Sequence, residues 1–195
     1  KRDQGAAARP RAPARARVVL HVVGVRPNYV KVSRVLRAAS VFGRVFHRGG
    51  LTKLLGVDHS VGSSESEQKS LRDALSTLVD REFVNPRHPS RFAGEEEFVF
   101  SHALVQESAY SMLTAEDRQL GHRLAAEFLQ AVGEDDAMVL AEHCTLGGVL
   151  DQAVMYLKQV VSEALTGNDF RAALSCTARA LKLGAEGTVR GTLLA

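Results

Sequence analysis

Apolar positions recur at helical spacing along most of this chain. From Asn28 to Phe42, Val32, Val35, Leu36, Ala39 and Phe42 share one face and Arg34 and Arg37 lie opposite, which predicts an amphipathic helix stopped near Gly43. Gly49 and Gly50 introduce LTKLLG, a short helix, and the polar stretch HSVGSSESE reads as a loop. Over Ser66 to Phe83, Leu71, Leu75, Leu78 and Val79 form the apolar stripe of a third helix, with Glu67, Lys69, Arg72, Asp73 and Arg81 around it. The texture then changes. In EFVNPRHPSRFAGEEEFVFSH two short apolar runs flank Pro86, Pro89 and Gly94, so Phe83–Val84 and Glu97–Phe100 are expected to pair as a hairpin with a long loop. Upstream, Val18 to Val25 (VVLHVVGV) is β-branched and continuous, a strand or buried segment ended by Arg26 and Pro27.

From His102 onward the pattern is helical throughout: HALVQESAYSML, AEDRQLGHRLAAEFLQAV, AMVLAEHCTLG, DQAVMYLKQVVSEAL and FRAALSCTARALKL. Thr114, three residues before Asp117, has the form of an N-terminal cap, and Asn168 or Asp169 is placed to cap the last helix. Gly133, Gly147 with Gly148, Gly167 and Gly184 fall just past helix ends, where a left-handed residue is favoured. Short antiparallel helices are expected. LGGVLDQAVMYLKQV aligns weakly with LTGNDFRAALSCTARAL, and Ala153, Ala173 and Ala180 sit where helices approach closely. The segment MYLKQVVSEALTGNDFRAALSCTARALKLG looks like a tetratricopeptide repeat. A solenoid ordinarily needs about three repeats, so the array is expected to be cut short. Leu174, Leu181, Leu183, Leu193 and Leu194 are then expected to be uncovered and to favour self-association.

The fold class expected is therefore mainly α: a winged-helix-like domain with a small β-hairpin over residues 18–113, followed by antiparallel tetratricopeptide-like helical repeats over 114–195. Residues 1–17, KRDQGAAARPRAPARAR, form a low-complexity basic tail expected to be disordered. In a DNA-reading winged helix the third helix enters the major groove, led by basic and amide side chains. Here it opens SSESEQ, which repels phosphate.

Charge sharpens the division. The net charge of +3 conceals 12 Lys and Arg against one acid in residues 1–48, and 13 against 21 in the rest. No apolar run is long enough for a membrane span, and no secretory signal is present, so a cytoplasmic location is expected. Cys144 and Cys176 are far apart and lack companions at metal or redox spacing, which leaves no disulfide framework and no zinc site to expect.

RVLRAASVFGRVF, RGGLTKLLG, FVFSHALVQESAYSML, DRQLGHRLAAEFL and AEHCTLGG, in that order over roughly residues 33–190, resemble the region after the nucleotide-binding domain of STAND-type signal-transduction ATPases. In bacteria such regions are fused to Ser/Thr kinase, nucleotide-cyclase or transcription-regulator domains. The resemblance implies a winged helix and tetratricopeptide-like repeats that sense partners and restrain an ATPase. It also places His102 on the histidine of an MHD-like motif, which contacts the β-phosphate of ADP in an intact ATPase; the motif's aspartate is Ala103 here. An imidazole N–H at a helix start is a fitting anion donor. The chain has no GxxxxGK[ST] phosphate loop, so no ATP hydrolysis, catalytic residue or cofactor is expected of it.

Other chemistry is thinner. His143 and Cys144 are adjacent on a helix, so their side chains diverge, and His122 stands 21 residues earlier without motif spacing. Glu95, Glu96 and Glu97 read as solvated loop surface, and Ser60, Ser63, Ser64 and Ser66 as a serine loop open to phosphorylation. The function expected is a non-catalytic regulatory and protein-interaction module of a multidomain bacterial signalling ATPase, partnered by a protein or by a fused ATPase or kinase domain. Specific nucleic-acid or membrane binding is not expected. The alternative is a DNA-binding transcription-regulator fragment that uses the winged helix and the basic tail.

Overall fold

A small sheet with two differently covered faces organises the molecule. The computed structural model describes residues 27–57, 65–185 and 191. The expected basic tail, the run Val18 to Val25, Ser60, Ser63, Ser64, Leu193 and Leu194 lie outside the described residues. Those residues fold mainly as helices with one three-stranded antiparallel sheet. The order is α1 (Pro27–Ser40), β1 (Val45–His47), α2 (Arg48–Leu55), α3 (Glu65–Asp80), β2 (Val84–Arg87), β3 (Glu97–Phe100), α4 (Ala103–Ser111), α5 (Ala115–Val132), α6 (Ala137–Leu146), α7 (Leu150–Thr166) and α8 (Phe170–Lys182).

The helical periodicity is realised with shifted ends. α1 stops at Ser40 rather than Phe42, and Gly43 takes a left-handed φ of 87° to turn the chain. The next residues were not expected to be extended, yet Val45 to His47 form β1 at one edge of the sheet. α3 ends at Asp80, three residues before the expected Phe83, and Glu82 adopts φ 58°. Strand order is β1-β3-β2, with Phe46 opposite Phe98 and Val84 opposite Phe100.

Alternation of side chains along a strand explains the two sheet faces. Phe46, Phe98, Phe100 and Val84 point one way, into a core shared with Val35, Ala39, Leu51, Leu71, Leu75 and Leu78 of α1 to α3. The Phe46 ring stacks on Phe98 at 5.5 Å and meets Phe100 at 5.4 Å. Fully burying one such ring contributes about 1.5–3 kcal/mol. The same core continues past α4 into α5, because Leu113 and Ala125 belong to it and Leu120 and Leu124 pack against it.

From α5 onward each helix packs on its sequence neighbour. Thr114 caps α5 by accepting from the Asp117 N–H at 3.1 Å, as the sequence suggested. Asp169 caps α8, while Asn168 takes the left-handed φ of 58° that the sequence assigned to Gly167. Gly147 is needed for another reason: a Cβ there would stand 2.7 Å from the Arg123 backbone nitrogen, so the end of α6 lies directly on α5. Ala141, Leu157, Ala173, Cys176 and Ala180 build the second core, a seam of mainly small side chains across α6 to α8. Leu181 and Leu183, expected to be uncovered, pack partly against that core; Leu174 is 71% exposed.

Candidate functional site

The second face of the sheet carries a row of polar side chains that the strand register sets side by side: His47 opposite Glu97 on β1 and β3, and Arg87 opposite Glu97 on β2 and β3. Glu97 is 2% exposed, which corrects its reading as solvated loop surface; Glu96 is exposed as expected and pairs with Arg48 at 3.1 Å. Strand pairing explains the difference, because Glu97 is the first residue of the central strand and its side chain falls on the covered face.

The Glu97 carboxylate is fully engaged. Oε2 accepts from the Arg91 backbone N–H at 2.7 Å and faces His47 Nε2 at 3.3 Å, while Oε1 lies 3.3 Å from Arg87 Nε. Burial pushes its pKa up. The Arg91 N–H, the His47 ring and the Arg87 charge outweigh that and hold the carboxyl below its ordinary range.

The β2–β3 connection then reaches across to the helical array. Arg91 Nη2 meets Glu134 Oε1 and Asp135 Oδ1, both at 2.5 Å, at the end of α5. Burial lowers the Arg91 pKa, but the Asp135 hydrogen bond and the charges of Glu134, Asp135 and Asp136 leave it raised overall. Beside it, Phe92 is buried in a cluster with Phe128, Leu129 and Leu140, and the His47 ring sits 4.8 Å from Phe92. A cleft of about 410 Å³ opens here, bordered by Arg87, Arg91, Glu97, Glu134 and His143.

His143 leads from this cleft into a second polar chain. Its Nδ1 lies 3.0 Å from His122 Nδ1, and His122 Nε2 lies 2.8 Å from the Tyr110 hydroxyl. In sequence His122 has no motif spacing to His143, and the contact between the two rings was not anticipated. Their separation of 21 residues spans one helical hairpin, and α5 and α6 pack so that the two rings meet. Two Nδ1 atoms can hydrogen-bond only when one carries the proton, so the pair exists in two tautomeric arrangements. Burial lowers both pKa values to about 4, with His143 and Arg118 adding to the effect at His122. The arrangement accepts one extra proton with the hydrogen bond kept. A second would set two N–H groups against each other.

His102 stands where the sequence placed it, between β3 and α4 at the N-cap of α4. It is exposed and its side chain makes no capping hydrogen bond. Neither chain of polar contacts includes it. Arg37, read as lying on the polar side of its helix, is 5% exposed; burial lowers its pKa, Asp117 opposes that, and its Nε and Nη2 have no hydrogen-bond partner. Cys144 and Cys176 are buried free thiols whose pKa values are pushed up by burial. Among the described residues no group of three or more His, Cys, Asp or Glu side chains is placed to hold a metal, and no helix is long and apolar enough to cross a membrane.

In sequence, Glu97 falls in an expected strand and also reads as solvated surface, and His47 does not stand out at all. Nothing in the sequence showed that the outer face of the sheet is covered. Compared with models of known protein families, with curated proteins and with solved structures, the chain matches none of them.

Proposed function

We propose that this chain is a non-catalytic regulatory and protein-interaction module, in which a winged-helix-like unit is clasped by its own wing to a tetratricopeptide-like helical array. The parent protein on this reading is a multidomain bacterial signalling ATPase, with a kinase or cyclase fused to it. Element order α1-β1-α2-α3-β2-β3 with strand order β1-β3-β2 fits the winged-helix layout, and α7 with α8 fits one helical repeat unit.

One observation carries the reading: the β2–β3 connection, which would be the free wing of a DNA-binding domain, is engaged inside the molecule. Arg87 is held by Glu97, and Arg91 by Glu134 and Asp135, so these two cations are neutralised in cis. The third helix opens with Glu65 and Glu67. A phosphate backbone meets little free positive charge on that surface. Movement of the array is instead transmitted directly to the sheet through Arg91 and Phe92.

Titration of a fluorescent duplex with the full chain tests this. Binding is expected to come from the basic N-terminal residues, to be indifferent to sequence, to fade near about 0.15 M salt, and to be unchanged in Arg72→Ala and Arg91→Ala variants. Sequence-preferring binding at that salt concentration that is lost in either variant would favour the DNA-binding alternative.

A further inference from the structure

α8 has two apolar faces, and among the described residues only one of them is buried. Ala173, Cys176 and Ala180 turn into the second core. At about 100° per residue, Phe170, Leu174, Ala178 and Leu181 form a second stripe, rotated well away from the first. Phe170 is 61% and Leu174 71% exposed, Ala178 is exposed and Leu181 half-buried. An isolated leucine at a surface is ordinary; a stripe that runs the length of a helix is a contact surface awaiting a second element.

Charge identifies that element. α8 contains Arg171, Arg179 and Lys182 and no acid. Arg179 is turned inward, its Nη1 3.5 Å from Met138 Sδ on α6. Arg171 and Lys182 are exposed. Eleven residues is close to three helical turns, so both cations border the same flank of the stripe, about 16 Å apart along the axis. A second copy of α8 laid symmetrically on this face would bring Arg171 toward Lys182 of the other copy, like against like. Residues 1–26, with 7 Lys and Arg and one acid, are repelled in the same way. Residues 27–195, with 18 Lys and Arg against 21 acids, carry no excess of positive charge to seek an anionic membrane surface.

We propose that the outward face of α8 docks an amphipathic helix of a partner protein, whose leucine-type side chains fill the Phe170–Leu174–Ala178 stripe and whose carboxylates, about three turns apart, pair with Arg171 and Lys182. This rests on the interaction-module reading and gives the partner its chemistry. Apolar contact supplies most of the affinity, and the two ion pairs at the edge fix orientation and exclude basic helices.

The test uses the full chain and two designed helical peptides with the same leucine face, one with Glu and one with Lys at the flanking positions eleven residues apart, followed by fluorescence anisotropy. The Glu peptide is expected to bind at least about tenfold more tightly than its Lys twin. Arg171→Glu with Lys182→Glu is expected to reverse that preference, and Leu174→Ser to weaken both peptides about tenfold. Because Leu174 is mostly exposed, that variant keeps the fold, which circular dichroism checks. Equal binding of the twins, or no binding, overturns the proposal. So does concentration-dependent dimerisation lost in Leu174→Ser, which would make the occupant a second copy, or binding of phosphatidylserine vesicles without peptide binding. None of these results bears on the wing clasp, whose failure would appear in DNA titration and in unfolding.

Discussion

Acidification from pH 7 to pH 5 is expected to destabilise the fold by about 2 kcal/mol for each of the two buried histidines, about 4 kcal/mol together. Burial depresses the folded pKa of His122 and His143 from 6.5 to about 4. A depressed histidine is neutral when folded and protonated when unfolded over the window between those values, so the unfolded state binds more protons there. Stability is therefore full above about pH 6.5, falls as pH drops toward 4, and levels off below it. Glu97 acts in the same direction at more acidic pH, because its lowered carboxyl pKa makes the folded state resist protonation. Urea unfolding across pH 4 to 8 measures the slope, and imidazole NMR assigns it. Both rings should remain neutral well below pH 6. A flat profile from pH 7 to 5, with both imidazoles titrating near 6.5, would show that the pair is open to water.

Glu97→Ala is expected to cost about 3–5 kcal/mol. Removing the carboxylate strands the Arg91 backbone N–H and the His47 ring nitrogen, both of which meet Glu97 Oε2. Glu97→Gln keeps an acceptor for the N–H and loses only the charge, and should cost about 1–2 kcal/mol. Chemical denaturation of the two variants separates them. A loss below about 1 kcal/mol for Glu97→Ala would mean that water replaces the carboxylate and that the row does not hold the sheet to the array.

The contrast between Glu96 and Glu97 shows what sequence could convey. Periodicity located every described helix to within a few residues, because an apolar stripe at helical spacing is a local property of the chain. Caps were legible where one side chain serves one N–H, as at Thr114 and Asp169. β1 was not, since Val45–Phe46–His47 is too short to show alternation and exists only because β3 supplies its partner. The histidine pair was hidden for a related reason: His122 and His143 meet only after the chain turns at Gly133 and α6 folds back along α5, a contact between helices that no local spacing encodes. Arg37 followed the helix period correctly, yet its supposedly polar side is covered in the folded chain, so its exposure was misjudged.

The coupling of the sheet to the helical array is tested most directly by hydrogen exchange read by mass spectrometry across a urea series, comparing the wild type with Arg91→Glu combined with Phe92→Ser. That double change sets a carboxylate against Glu134 and Asp135 and empties the Phe92 site beside Phe128 and Leu129. In the wild type, amides of α1 to β3 and of α6 to α8 are predicted to lose protection together, in one step. In the variant, α6 to α8 should open at lower urea while α1 to β3 stay protected. Separate opening of the two halves in the wild type, or an unchanged single step in the variant, would contradict the clasp.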